Sequence, residues 1–247
     1  MEQNWVVAAK RADFQAIAQK FGIDPVTARL IRNRDAVSEE EIRQFLYGGM
    51  DDLHDPALMK GIPEAAALLT QEIAAGARIR VIGDYDIDGV CASFILQTAL
   101  GKLHADVDVR IPDRIRDGYG LNPVLVQQAI ADGKTLILTC DNGIAAAEAV
   151  KLAKEAGLRV IVTDHHDIPF SGTEDKNGEE TAEGDPGKEG ENKTASGEEG
   201  VRKKIWQLPP ADVVIDPKQE DCAYPFKGLC GAAVAWKLVQ RSEEQHV

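Results

Sequence analysis

The segment VIGDYDIDGV, residues 81–90, carries Asp84, Asp86 and Asp88 at every second position after an apolar run. Alternate residues of an extended chain point to the same face, so the three carboxylates would meet where a strand ends. Carboxylates at such short range repel one another, and binding of divalent cations would explain why they are gathered there. The segment therefore predicts a metal site.

Two further segments follow apolar runs in the same way. Asp141 comes directly after LILTC, and Asp164, His165 and His166 come after VIVT. Carboxylates combined with imidazoles are ligands typical of Mn²⁺, Mg²⁺ or Fe²⁺ rather than of a thiolate zinc site. Two neighbouring ions, about 3.5–4 Å apart, would account for so many acids in one place.

Other readings of these acids are possible. DYDIDG resembles the start of an EF-hand loop, but the twelfth position is Ile95 instead of glutamate, and a strand precedes the segment. A single aspartate after a strand is often a helix N-cap, and Asp141 taken alone fits that interpretation. Asp84, Asp86 and Asp88 cannot all cap one helix, and three such sites on successive strands favour metal binding.

From Arg78 onward, apolar strands alternate with helical stretches, as in RIRVIG, GVCASFILQTALGKL and ADVDVRIP. This alternation predicts an α/β fold with a mostly parallel sheet and helices on both faces. Ligands of such sheets bind beyond the carboxyl ends of the strands, where the acids lie. Residues 1–76 are expected to form a helical lead-in, with a capping box of Ser38 and Glu41 at the start of one helix.

The stretch 171–204 interrupts this pattern. It is rich in Gly, Glu, Lys, Ser and Thr and contains very few apolar residues. Such a composition buries too little surface to offset the entropy of ordering, so we predict a disordered insertion. The insertion would divide the α/β core into a first part, residues 77–170, and a continuation, residues 205–247.

Composition limits the possible partners. The chain of 247 residues has a net charge of −13, which argues against a simple basic surface for nucleic acid. It does not exclude nucleic acid, because a carboxylate cluster loaded with divalent metal becomes locally positive. The four cysteines form no CxxC pair, and no apolar run reaches the length of a membrane span. We expect a cytoplasmic monomer with reduced thiols and no membrane partner.

In this order and spacing, GDYDIDG, CDNGI and TDHH resemble motifs I to III of the DHH phosphoesterase superfamily. The resemblance implies a DHH phosphoesterase core and a hydrolase that degrades single-stranded DNA in the 5′→3′ direction. It further implies that mononucleotides are released by two-metal catalysis with Mn²⁺ or Mg²⁺, in DNA repair and recombination. Protein partners in repair are not indicated.

The resemblance also implies roles for individual residues. The metal ligands would be Asp84, Asp86, Asp88, Asp141 and His165. Asp141 would bridge the two ions, His166 would contact the scissile phosphate, and Asp164 would orient this pair of histidines from behind. Asp141, His165 and His166 would thus form the catalytic set.

A basic loop is the expected substrate contact. Arg110, Arg114 and Arg116 lie around RIPDRIRDGYG, where they would hold the DNA backbone, and Tyr119 would stack on a base. Lys227, in YPFKGLCG, is a further candidate. An ordinary solvated loop is an equal alternative for these residues.

The chain departs from the family pattern in two places. Ile82 stands where many relatives have a histidine, and the sequence ends at RSEEQHV before the fourth motif with its further aspartate. We therefore expect a C-terminally truncated core without the downstream DHHA1 and OB-fold domains, and weak or absent activity in isolation. Another DHH hydrolase, such as a nano-RNase or cyclic-dinucleotide phosphodiesterase, and a non-catalytic scaffold or truncated product remain alternatives.

Overall fold

The computed structural model of the chain describes residues 10–174, 180–182 and 203–244. The chain divides into two compact units, Met1–His54 and Asp55–Val247. The sequence suggests a boundary after residue 76, but the helix α4 (Ile62–Ala74) belongs to the second unit. Its buried side chains, among them Ile62 and Leu69, are part of the core beneath the sheet.

The first unit contains three short helices, α1 (Phe14–Phe21), α2 (Pro25–Asn33) and α3 (Glu39–Tyr47). Each begins at a residue whose side-chain oxygen accepts a backbone N–H of the first turn: Asp13, Asp24 and Ser38. The predicted capping box is confirmed, since Ser38 Oγ accepts from Glu41 N and Glu41 Oε2 accepts from Ser38 N. A small core holds the helices together, formed by Phe21, Ile31, Ala36 and Ile42.

The second unit is built on a five-stranded sheet. Its strands are β1 (Arg78–Ile82), β2 (Asp106–Arg110), β3 (Leu136–Cys140), β4 (Arg159–Thr163) and β8 (Val213–Ile215). Their order in the sheet is β2-β1-β3-β4-β8, and every neighbouring pair is parallel. The helices that accompany them are α5 (Ile87–Lys102), α6 (Pro123–Ala131), α7 (Ala147–Glu155) and α8 (Gly231–Glu244). The predicted parallel α/β fold is confirmed.

Helices cover both faces of this sheet. Successive strand residues point to opposite faces, so Leu136 and Leu138 enter one core while Ile137 enters the other. The first core also receives side chains of α4, α5 and α8, and the second receives those of α6 and α7. With both faces covered, ligands of such a sheet bind beyond the carboxyl ends of its strands.

The predicted disordered insertion, 171–204, lies partly outside the described residues. At its ends the structure differs from the prediction, because a three-stranded antiparallel sheet forms there from β5 (Phe170–Glu174), β6 (Glu180–Ala182) and β7 (Lys203–Trp206). Phe170 pairs with Trp206 in the register, and their rings meet edge to face with centroids 6.0 Å apart. Phe170 precedes the predicted insertion and Trp206 follows it, so this aromatic pair holds together the two points where the insertion leaves and rejoins the α/β unit.

No helix among the described residues combines the length and the apolar character needed to cross a bilayer.

Candidate metal centre

The acids and histidines singled out in the sequence follow three parallel strands, so they lie at one edge of the sheet. Two groups there have ligand atoms within 4.8 Å of one another: Asp84 with Asp86 and Asp141, and Asp141 with His165 and His166. Asp141 is common to both groups. Carboxylate oxygens of the first group and imidazole nitrogens of the second therefore converge around Asp141, which belongs to both groups.

Asp141 is almost fully buried, with 1% of its surface exposed. Its φ of +62° lies in the left-handed region, which is uncommon for a residue with a side chain. Burial, together with repulsion from Asp88 and Asp86, raises the pKa of Asp141 to about 7. Backbone strain and a crowded buried carboxylate in one residue are typical of a functional site.

Two buried carboxylate oxygens of the cluster, Asp84 Oδ1 and Asp141 Oδ1, accept no hydrogen bond from the described part of the chain. His165 Nε2 lies 2.9 Å from Asp141 Oδ1, a close polar contact without hydrogen-bond geometry. Burial also raises the pKa of Asp84. Unsatisfied buried oxygens are rare, and a divalent cation would satisfy these. The residues present therefore fit a Mn²⁺ or Mg²⁺ site.

Asp86 has a structural task in addition to its place in the cluster. It is the N-cap of α5, with Oδ1 accepting from Gly89 N at 2.9 Å. A Cβ on Gly89 would lie only 2.6 Å from Asp84 N and O, so glycine lets the helix begin against the backbone of the strand end. The N-cap interpretation of an aspartate after a strand is thus correct for Asp86.

Asp88 has different partners from its neighbours. Its oxygens accept from Gly231 N and Ala232 N, both at 2.7 Å, at the start of α8. His165 Nε2 is 3.5 Å from Asp88 Oδ2. Both carboxylate oxygens are engaged by backbone N–H groups, and Asp88 is absent from the two groups of converging ligand atoms.

Asp164 supports the histidine segment from inside the protein. Its Oδ1 lies 2.7 Å from His166 Nδ1 and accepts from His165 N, while Oδ2 accepts from Ile144 N at 2.9 Å. Burial acts to raise the pKa of Asp164, but the hydrogen bonds from His166 and Ile144 outweigh it, and the pKa lies below its ordinary value. The same contact with Asp164 raises the pKa of His166. A cationic imidazole is thereby favoured, which suits contact with a phosphate.

A cavity of about 350 Å³ opens beside His166. Its wall comprises the turn Tyr119–Leu121, the stretch Gly143–Ala146 and, after β4, the residues Asp164, His166 and Asp167. Tyr119 lines this cavity, and its hydroxyl donates to Asp141 O at 3.1 Å and lies 3.4 Å from His166 Nε2. The structure thus brings Tyr119 to the cluster, as the sequence suggests.

The basic residues predicted to contact substrate differ in how they are placed relative to the acidic cluster. The Arg114 guanidinium lies 5.4 Å from the ring centroid of Tyr85, and the Tyr85 ring meets the Tyr119 ring edge to face. Arg110 ends β2 at the same edge of the sheet, and Arg116 lies exposed in the following loop. Lys227 Nζ donates to Cys222 O at 2.6 Å within its own loop. Arg114 is therefore the basic residue with a direct contact to the aromatic rim of the site.

Two buried polar residues of this edge are missing from the sequence-based set. Asp216 follows β8, is fully buried, and its Oδ2 has no partner in the described ranges; burial raises its pKa to about 7. Asn142 joins three segments, since its Nδ2 donates to Ile82 O and Cys140 O while its Oδ1 accepts from Leu121 N. The rule used for the other acids, a carboxylate directly after a strand, would have found Asp216.

The residues of this candidate metal centre lie in a segment that matches a known protein family. Residues 78–182 match the family described as "DHH family, N-terminal domain". This stretch runs from β1 through the TDHH segment and so contains all the converging acids and histidines. Residues 78–182 are therefore similar to the DHH family, and the predicted resemblance is confirmed.

Individual proteins with similar sequences carry a more specific name than the family does. The chain is 37% identical over 224 residues to the single-stranded-DNA-specific exonuclease RecJ of Bacillus subtilis, covering 91% of this chain and 24% of that protein. It is 32% identical over 218 residues to RecJ of Escherichia coli, covering 88% and 31%. The chain thus spans about a quarter to a third of the length of these curated relatives.

Solved structures agree in fold. A crystal structure of exonuclease RecJ bound to manganese superposes with a TM-score of 0.56 at 33% identity, covering 76% of this chain and 38% of that one. RecJ of Thermus thermophilus in complex with Mn²⁺ gives a TM-score of 0.60 at 27% identity, covering 94% and 27%.

Proposed function

We propose that this chain is the metal-dependent part of a single-stranded-DNA exonuclease that releases mononucleotides in the 5′→3′ direction. The observation that carries the proposal is the convergence of Asp84, Asp86, Asp141, His165 and His166 at one edge of the sheet. Similarity to proteins named as RecJ supplies the substrate class. The proposal includes a role in DNA repair and recombination, in the cytoplasm.

Two divalent ions, Mn²⁺ or Mg²⁺, are the proposed cofactors. Asp84, Asp86 and Asp88 would hold one side of the pair, His165 the other, and Asp141 would be shared between them. When bound, the ions would supply positive charge to the phosphate and lower the pKa of water. The unsatisfied oxygens of Asp84 and Asp141 support this assignment.

The protein's own groups would orient the substrate. His166, held by Asp164 and favoured as a cation, would donate to the phosphate that is cleaved. The neighbouring cavity of about 350 Å³ is of the size that a small ligand occupies, which suits one terminal nucleotide. Arg110, Arg114 and Arg116 would contact the phosphates that follow, and Tyr119 would stack on a base.

Digestion of labelled oligonucleotides tests the proposal. Single-stranded DNA labelled at its 5′ or its 3′ end is incubated with the chain and Mn²⁺, with Asp141→Asn as the inactive control. We expect weak activity of this chain alone, with labelled mononucleotide appearing early from the 5′ label, no product with EDTA, and none from the variant. Early release from the 3′ label would refute the polarity.

A substrate panel separates the alternative DHH activities. Short RNA oligonucleotides and a cyclic dinucleotide are offered under the same conditions as single-stranded DNA. Preferential hydrolysis of either would replace the exonuclease assignment with that of a nano-RNase or cyclic-dinucleotide phosphodiesterase. Absence of both Mn²⁺ binding and hydrolysis of every substrate would favour a non-catalytic role.

A further inference from the structure

We propose that the N-terminus of α8 is a built-in part of the acidic cluster and that Gly231 is a positioning residue for Asp88 and Asp141. The catalytic consequence rests on the proposed function, whereas the contact itself does not require a metal ion. The inference starts from two hydrogen bonds and one close approach.

The hydrogen bonds connect segments that are far apart in the sequence. Asp88 lies in the first turn of α5, yet its carboxylate accepts from Gly231 N and Ala232 N at 2.7 Å each. The first N–H groups of a helix have no partner within the helix, and the positive end of the helix dipole favours an anion there. Asp88 therefore caps α8 from another helix, through two short charge-assisted hydrogen bonds.

The close approach concerns Asp141. A Cβ added to Gly231 would lie 2.4 Å from Asp141 Oδ1, 2.6 Å from its Cβ and 2.7 Å from its Cγ. Asp141 is buried and its backbone is already in the left-handed region, so it has little room to move aside. Any side chain at position 231 must displace either Asp141 or the start of α8.

These contacts make α8 a rigid reference for the cluster. Val234, Ala235 and Leu238 anchor the helix in the core shared with β1 and β3, the two strands that precede Asp88 and Asp141. One helix end thereby fixes two carboxylates relative to each other, one in the first turn of α5 and one directly after β3. Each carboxylate oxygen of Asp88 has a second lone pair, so Asp88 could also bind a cation while it accepts from the N–H groups of α8.

Metal affinity tests the positioning role. Gly231→Ala is compared with Gly101→Ala, a control in α5 where an added Cβ meets nothing within 4 Å. Mn²⁺ binding is measured by isothermal titration calorimetry, alongside the unfolding temperature without metal. We expect about 10- to 100-fold weaker binding in Gly231→Ala, the range typical of residues that orient metal ligands, and unchanged binding in the control. Wild-type affinity in a folded Gly231→Ala protein would overturn the proposal.

Hydrogen exchange in the metal-free protein tests the cap independently. In Asp88→Asn, which keeps the size of the side chain but loses its charge, we expect the amides of Gly231 and Ala232 to exchange at least about tenfold faster. Amides of β3 should be unaffected. Unchanged exchange at both positions would refute the cap, even if Gly231→Ala did not fold. Failure of the wild-type chain to bind Mn²⁺ would contradict the proposed function while leaving this exchange result to decide the inference.

Discussion

His166 Nδ1 lies 2.7 Å from Asp164 Oδ1 at the end of β4, and this contact determines how the imidazole is presented. Because an ionised carboxylate can only accept, Nδ1 is the donor. Nε2 then faces the Tyr119 hydroxyl, 3.4 Å away, and both residues line the cavity. The buried acid thus sets both the orientation and the charge preference of the residue proposed to contact phosphate.

Removing this acid should impair the site more than it impairs the fold. Asp164→Ala leaves Ile144 N without its partner and frees the His166 ring, so we expect about 1–3 kcal/mol of stability to be lost. DNA hydrolysis should fall by about 10- to 100-fold, as for other residues that orient a functional group. Urea unfolding and single-turnover digestion measure the two effects. Asp106→Asn, at an exposed position in β2, is the control, and equal activity of both variants would contradict the orienting role.

Asp141→Asn should separate metal binding from stability. The metal-free protein should be no less stable than the wild type, because the substitution removes a buried carboxylate that is repelled by Asp86 and Asp88. Mn²⁺ should raise the unfolding temperature of the wild type but not that of the variant, since ligands stabilise only the state that binds them. Thermal unfolding with and without Mn²⁺ gives both results. An equal Mn²⁺-induced shift in the two proteins would exclude Asp141 as a ligand.

Tyr119 offers a test of base stacking. Tyr119→Phe removes the hydrogen bond to Asp141 O but keeps the ring, whereas Tyr119→Ala removes both. If the ring stacks on a base, Tyr119→Ala should weaken single-stranded DNA binding by about 1–3 kcal/mol and Tyr119→Phe by much less. Fluorescence anisotropy with a labelled oligonucleotide, in Ca²⁺ to limit cleavage, measures the affinities. Equal losses in both variants would assign the effect to the hydroxyl.

Asp216 predicts a pH-dependent effect on stability. The folded state keeps its proton up to a pKa of about 7, whereas the unfolded chain releases it near its ordinary value of about 3.9. Stability is therefore lost as pH rises between these values. Asp164, His166 and Lys218 are the charged neighbours whose own ionisation adds to the profile.

Asp216→Asn cannot ionise and should be more stable than the wild type at pH 8, by at most about 4 kcal/mol, with a smaller difference at pH 5. Urea unfolding at the two pH values is the measurement. A stability difference that is independent of pH would show that Asp216 ionises in the folded protein as freely as in the unfolded chain.

The sequence predicts much of this site because the residues that form it directly follow the strands of a parallel sheet. Parallel strands end at one edge of the sheet, so a polar ligand residue shortly after each strand is enough to predict that Asp86, Asp141 and His165 lie close together. The engagement of Asp88 was not predictable in this way. Its partner amides lie 143 and 144 residues away, and their position depends on how α8 packs against the sheet. Lys227 shows the same limit, because a lysine in a matching phrase says nothing about which carbonyl it will reach.

The pairing of β5 with β7 allows the length of the segment between them to vary. Phe170 and Trp206 stand side by side, so the polypeptide departs from the α/β unit and returns to it at one place. The entropy of bringing the two ends of a connecting segment together grows only with the logarithm of its length, about 0.6 kcal/mol for each doubling. Insertions and deletions between these two aromatic residues can therefore accumulate over evolution at little thermodynamic cost, while the candidate metal centre keeps its geometry.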